Sequence, residues 1–375
     1  MPMNLVLLLG KTVPKSVPSR INEAMSSIEI TQNLGDRSGF QVSFQLNRVE
    51  LSEQLDDPLV KEVLLEPFNR MILGLTIDGT PEILIDGIIT HHQVHYTDDG
   101  EIIFVVTGED VSVMMDLEEK SVLHPSQAEH TIATKIISTY SRYGLIPSVK
   151  APPTIDTPTP TERMPSQQDT DLAYLRQMAE RFGYVFYIRP GPTSGKNTAY
   201  WGPARSTETP LPPLTVDMGS FTNVGSINLR LDALAATTVT GKLQDRKTNN
   251  VQSINISKSQ RPPLTDRSAL SLQSSALITQ FRGTGHAQTR GTALAQATVD
   301  RSIDRAVTLT GTLDTLVYGS ILKVGRSIAV RGMGNTHDGQ YIVQQVSHSI
   351  ANNNYTQQFT LFRDGVGAII SRVNL

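Results

Sequence analysis

The chain has 375 residues, with 33 Lys+Arg against 36 Asp+Glu and no Cys. That length holds two or three domains with ample core, and the near balance of charge leaves no electrostatic footprint for nucleic acid. Without Cys, disulfides, thiolate chemistry and Cys-based zinc sites are excluded. The apolar run Leu5 to Leu9 is too short and lacks the charged start of a signal peptide, so it reads as a strand. No stretch approaches the ~20 apolar residues of a membrane helix. The expectation is a soluble protein made in the cytoplasm, with no nucleic-acid recognition and no membrane insertion by this chain.

Residues 1–119 are rich in short strand patterns. Phe40 to Leu46 alternates apolar and polar residues, the period of a half-buried strand. Further strands are expected at Ile72 to Ile77, Ile83 to Ile89, Gln93 to Tyr96 and Ile102 to Thr107, separated by turn formers at Asp78-Gly79, Asp86-Gly87 and Asp98-Asp99-Gly100. An antiparallel barrel or sandwich follows. Gly10-Lys11-Thr12 superficially matches the end of a phosphate loop, but Leu5 stands where the first glycine belongs. His91, His92 and His95 lack a carboxylate in ligand spacing and read as polar histidines on a β surface.

In residues 120–216, Ser126 and Glu129 have capping-box spacing before a helix whose apolar face is Ile132, Ile136, Ile137 and Tyr140. Residues 147–168 hold six prolines and read as an extended or mobile connection. Asp169 or Thr170 then caps a second helix carrying Leu172, Leu175, Met178, Ala179 and Phe182 on one face. Gly183 closes it, and Tyr184 to Ile188 has strand composition. A turn-rich hairpin follows between Gly191 and Arg205, with the single Trp201 read as packing.

The last part divides into a second barrel, residues 217–245 plus 305–368, and an insertion at 246–304. Residues 246–290 look loop-rich, and a third helix is expected from Thr292 to Asp304 with Ala295, Val299 and Ile303 on one face. Strands are expected at Ser327 to Arg331, Gln340 to His348 and Tyr355 to Arg363. Asp86-Gly87, Gln93-Val94 and the turn at 98–100 recur in order as Asp338-Gly339, Gln345-Val346 and Asn352-Asn353-Asn354, which suggests two copies of a small β unit.

The segment TDLAYLRQMAERFGY resembles the pattern SDxxFLxxLAxxxGY of the phage late control protein D family and the related hubs of type VI secretion spikes and other contractile injection systems. Asp171, Leu175, Ala179, Gly183 and Tyr184 fall on its fixed positions, Tyr174 takes its aromatic place, and Phe182 lies within it. The C-terminal stretch from Gly325 to Asp364 is similar to the family's last barrel motif through Asp338, Gly339, Tyr341, His348, Tyr355, Phe359 and Arg363. The resemblance implies an α+β, mainly β fold, with two tail-tube-like antiparallel β-barrel domains and an α/β insertion domain. It further implies a structural baseplate hub: a homotrimer that adapts a hexameric inner tube to a separate trimeric spike, alongside baseplate wedge components, within an assembled phage tail-like particle.

By analogy with relatives fused to their spike, Arg363, Asp364, Gly365, Val366 and Gly367, with the tail 369–375, are expected to face the spike. No Gly-x-Ser-x-Gly elbow, His-Glu-x-x-His motif or glycosidase carboxylate context occurs. No catalytic residue, metal or cofactor is therefore expected. The competing readings are a contractile phage tail hub, a cell-wall hydrolase and a carbohydrate-binding β module.

Overall fold

The computed structural model describes residues 3–46, 59–77, 79–98, 101–191, 193–205, 208–246, 248–272, 276–283, 286–304, 306–352 and 354–369. Its first part contains β1 (Met3–Gly10), β2 (Lys15–Ser16), α1 (Ser19–Ala24), β3 (Met25–Asn33), β4 (Gly39–Leu46), β5 (Arg70–Ile77), β6 (Thr80–Tyr96) and β7 (Ile102–Asp110). The strands pair in the order β3-β4-β7-β6-β5-β1-β2, antiparallel throughout. Their inward side chains meet in one apolar cluster around Phe44, Leu73, Ile89 and Val106, so the half-sheet curls about its own core. Asp86-Gly87 is not a turn, because β6 runs unbroken through it. Asp86 is buried there beside Arg70 of β5, whose Nε donates to Oδ1 at 2.6 Å. A partner on the neighbouring strand, invisible to local turn statistics, keeps these residues in the ladder.

The middle domain holds β8 (Val122–Leu123), α2 (Glu129–Ser138), β9 (Leu145–Val149), β10 (Ser166–Gln167), α3 (Asp171–Glu180), β11 (Tyr184–Pro190) and β12 (Asn197–Pro203). A three-stranded sheet in the order β11-β12-β9 packs on α2 and α3 over a core of Ile132, Leu175, Met178, Phe186 and Trp201. The capping box at Ser126 does not form. Ala128 occupies the N-cap, and Glu129 turns inward to Arg290 instead. This domain covers the outer face of β5 and β6: Ile88 joins its core, and Arg70 Nη2 donates to the carbonyls of Tyr143 and Gly195.

The second half-sheet begins earlier than expected, at β13 (Leu211–Thr215), which pairs with a later strand and not with the middle domain. β14 (Ser226–Leu231) follows. Then β15 (Thr237–Gln244), β16 (Val251–Ile256), β17 (Arg267–Ser268), α4 (Ala269–Leu272), β18 (Leu277–Phe281) and α5 (Gln288–Ile303) lie between it and β19 (Val307–Asp314). After β19 come α6 (Thr315–Tyr318), β20 (Ser327–Arg331), β21 (Gly339–Ala351), β22 (Asn354–Arg363) and β23 (Gly365–Val366). The loop-rich reading of 246–290 is corrected here. β15, expected in the second barrel, forms a separate sheet with β16 and β18, and α5 covers it through Ala295 and Val299. The strands were hidden because their side chains are half exposed and carry little apolar signal.

The second half-sheet runs β14-β19-β22-β21-β20-β13. Its β19-β22-β21-β20 order matches β4-β7-β6-β5 of the first, and both hairpins carry an irregularity in their first strand, after Ile89 and after Val343. The sequence repeat is thus real at the level of strand order. Asp86-Gly87 and Asp338-Gly339 are not equivalent within it: the first pair lies mid-strand, and Gly339 opens β21. β21 pairs antiparallel with β3, joining both halves into one 13-stranded sheet. Among the described residues the ladder does not close into a full circle. The mainly β, two-unit fold with an α/β insertion is what the sequence resemblance implied. No described helix is long and apolar enough to cross a membrane.

Candidate functional site

The motif helix is held by polar contacts that its sequence does not announce. Thr170 caps α3, its Oγ1 accepting from the Ala173 amide at 3.2 Å, so of the two expected caps it is Thr170 that acts. Asp171 is buried and accepts from Lys120 Nζ at 2.5 Å, Tyr140 Oη at 2.7 Å and Gln167 Nε2 at 2.7 Å. Burial alone would raise its carboxyl, but these three donors outweigh it and hold Asp171 below the usual carboxylate range. The aspartate therefore ties α3 to three other parts of the middle domain, the residue leading to β8, the end of α2 and β10. Tyr174 stacks on His124 with ring centroids 5.8 Å apart. Leu175, Ala179, Phe182 and Tyr184 pack around Trp201, whose Nε1 donates to the Leu175 carbonyl at 3.1 Å.

Gly183 does two things. Its φ of +64° closes the helix, and its Cα faces α5, where an added Cβ would rest 3.4 Å from the Ala297 backbone. Its carbonyl accepts from Arg261 Nη2 at 2.8 Å. The motif glycine is thus a contact with the inserted module as well as a stop signal.

The C-terminal motif residues lie along the β21–β22 hairpin, which crosses from one core to the other. Tyr341, Val343, Val346, Phe359 and Leu361 belong to the second core, whereas Ile350 and Tyr355 belong to the first. His348 and Gln357 face each other in register at the crossing. His348 Nδ1 lies 2.9 Å from Tyr355 Oη, and Gln357 Oε1 accepts from the Leu322 amide at 2.8 Å. Burial pushes the His348 ring down to about 3, so it is neutral at physiological pH. Asp338 Oδ1 accepts from the Met333 amide at 2.7 Å, and Gly339 leads into β21. These residues set how the halves are joined. They are engaged in packing and hydrogen bonds.

The expectation that residues 363–367 face a spike is corrected. Arg363 is fully buried, lies over the Tyr341 ring at 4.5 Å, and donates to the carbonyls of Asp338 and Thr336 at 3.0 and 2.7 Å. Asp364 is buried and accepts from Thr265 Oγ1 at 2.8 Å, and Gly365 and Val366 form β23 against β17. Gly367 alone of the five is partly exposed. The sequence end looked free because β17, its partner, lies in the insertion a hundred residues earlier. Ile369 is exposed, and residues 370–375 fall outside the described residues.

A shallow cleft of about 360 Å³ lies on β3, β4, β6 and β7, with Glu29, Phe40, Gln41, His91, Thr107 and Glu109 along it. It adjoins the joint, where Thr31 Oγ1 lies 3.0 Å from Ser347 Oγ. His91, His92 and His95 are exposed, as expected. Among the described residues no three His, Asp or Glu side chains gather to hold a metal. Exposed aromatics stand at element ends: Phe68 before β5, Tyr96 at the end of β6 and Phe221 before β14. An arrangement of open strand edges, a shallow cleft and exposed aromatic tips can bind another surface. Sequence reasoning missed these tips because an isolated aromatic reads as core.

Solved structures with this fold are tail and secretion-spike proteins. A tail protein from Neisseria meningitidis MC58 has a TM-score of 0.63 at 11% identity, covering 98% of this chain and 98% of its own. The 43 kDa tail protein of prophage MuSo2 from Shewanella oneidensis gives 0.63 at 14% identity over 96% and 98% of the two chains. The E. coli c3393 protein, a component of the type VI secretion system, gives 0.58 at 13% identity over 93% and 77%. At these identities the likeness is one of fold, and it bears out the tail-hub fold read from the motifs. No curated protein matches the chain in sequence. The sequence profile of the Alg8 N-terminal domain, however, matches residues 53–352, and the chain belongs to that family.

Proposed function

We propose that the protein is a non-enzymatic baseplate hub of a contractile injection machine, acting as a homotrimer between a hexameric inner tube and a trimeric spike. The observation that carries this reading is the pairing of two half-sheets of like strand order in one chain, joined edge to edge by β3 and β21. Three such chains around an axis present six similar units, the symmetry a hexameric tube needs, while the whole keeps the threefold symmetry of a spike. Fold likeness over nearly the whole chain to phage and prophage tail proteins supports the same assignment.

Neighbouring copies have edges to meet. β14 pairs on one side with β19 and ends the described sheet, and strand edges of this kind recruit strands from other chains. An obligate ring of this type buries more than ~2,000 Å² per interface. The work of such a hub is mechanical: it holds the spike until contraction drives the stack forward, as part of an assembled particle with its tube, spike and baseplate partners.

Light scattering on the purified chain, alone and mixed with candidate spike and tube proteins from the same source, tests the proposal. A trimer, or a monomer that becomes a three-plus-three complex with the spike, is expected. A stable monomer indifferent to both proteins overturns it.

A further inference from the structure

A separate cluster of charge lies where the middle domain meets the inserted module. Four guanidiniums, Arg163, Arg181, Arg246 and Arg290, gather about three carboxylates, Glu129, Asp156 and Glu162. They arrive from separate places in the chain: α2, the proline-rich segment, the end of α3, the turn after β15 and the first turn of α5.

Only one of these contacts is close, Arg290 Nη2 to Glu129 Oε1 at 2.7 Å. Arg290 to Asp156 is 3.5 Å, Arg181 to Glu129 and Arg246 to Asp156 are 3.6 Å, and Arg246 to Glu162 is 3.8 Å. Those spacings are too long for hydrogen bonds. In consequence all three nitrogens of Arg246, Nε and Nη1 of Arg290, and Nε of Arg163 are buried without a hydrogen bond, as are Glu129 Oε1 and Asp156 Oδ2. The Arg290 side chain is only 4% exposed.

Each buried donor left without an acceptor costs about 1–3 kcal/mol, more when it is charged. Ordered water can satisfy some of them, but water leaves the fourth positive charge without a counterion in a low-dielectric interior. Planar guanidinium forks match the spacing of oxyanion oxygens. His286 stands at the same place, with Nδ1 also buried and unpartnered. Burial first, and then the four arginines, push its ring down to about 4, so the neutral imidazole has one N–H to donate.

We propose that this cluster binds a small tetrahedral oxyanion of the phosphate or sulfate class, held by Arg246, Arg290 and Arg163, which cross-links the inserted module to the middle domain. The three carboxylates neutralise most of the arginine charge, and the anion takes up the excess.

The test is thermal unfolding of the full chain in chloride at fixed pH and ionic strength, with inorganic phosphate or sulfate replacing chloride. A rise in Tm of a few degrees that grows with the logarithm of anion concentration is expected, as for a ligand that binds only the folded state. Arg246→Gln should abolish the rise, while Arg230→Gln, at an exposed surface pair, should keep it. A response to both anions identifies the shared oxyanion chemistry, and a response to phosphate alone narrows the ligand to phosphate. Equal Tm in chloride and in either anion, or an undiminished rise in Arg246→Gln, overturns the proposal. If Arg290→Gln fails to fold, Arg246→Gln still decides it. Crystals grown in sulfate give an independent answer: density between Arg246 and Arg290 that refines only as water also overturns it.

Discussion

The molecule has two joints of opposite construction. The joint between the half-sheets is a backbone ladder, β3 on β21, flanked by two apolar cores that share the β21–β22 hairpin. The joint of the inserted module sits beside a core of five buried apolar residues and relies on charge. There Arg205 binds Asp304 at 3.1 Å and Asp364 at 3.2 Å, and Arg261 also pairs with Asp304. Ladder and apolar burial are not weakened by electrostatic screening, whereas ion pairs are screened and carry a desolvation cost. Two joints in one chain can therefore have different stabilities under different conditions, so that one opens while the other holds.

The largest expected effect comes from breaking the first joint. Tyr355→Ala empties a fully buried site beside His348 and should cost about 3–5 kcal/mol, read as a lower denaturant midpoint for the whole chain. Asp304→Ala attacks the second joint by leaving Arg261 without its ion-pair partner and Arg205 with Asp364 alone. The pair is part-exposed, so the expected cost is about 2–3 kcal/mol, below that of a fully dry pair. Hydrogen exchange should quicken in β15, β16 and α5 while β3 and β21 stay protected. The reverse pattern would mean that the insertion is the firmer attachment.

Acid sharpens the contrast. Unfolded His348 takes a proton near pH 6.5, but the folded ring resists until about 3. The stability this gives is fully present above pH 6.5 and is lost as the pH falls toward 3, amounting to about 2 kcal/mol by pH 5. His348→Gln should flatten that slope in urea titrations between pH 7 and 5. The smallest change is Ile254→Val in the small core, about 1 kcal/mol, visible by hydrogen exchange in the insertion and scarcely by global unfolding.

What could be read from sequence was what short-range physics decides. The α3 helix, its Thr170 cap and its stop at Gly183 depend on residues within one or two turns of each other. The capping role of Ser126 failed because Glu129 has a stronger partner in Arg290, far along the chain. Asp86-Gly87 looked like a turn because Arg70, and Asn197 Nδ2 at 2.9 Å from Asp86 Oδ2, lie on other elements. The buried C-terminal motif failed as a surface for the same reason, since Arg363 donates to the carbonyls of Thr336 and Asp338 and is shielded by Tyr341. β15 through β18 were obscured because half-exposed strands of a small sheet leave only a weak periodic trace.

The β3–β21 ladder also bears on how the protein comes into being. Thr31 and Ser347 touch across it, 316 residues apart, so everything between them must be synthesised before the joint can form. Until then β3 presents an unpaired edge, with Ile28 and Ile30 beside it, to every other nascent copy. Closure of so distant a contact is slow, and the half-made protein passes through its most aggregation-prone state on the ribosome. The β21–β22 hairpin would thus decide whether a usable subunit exists at all.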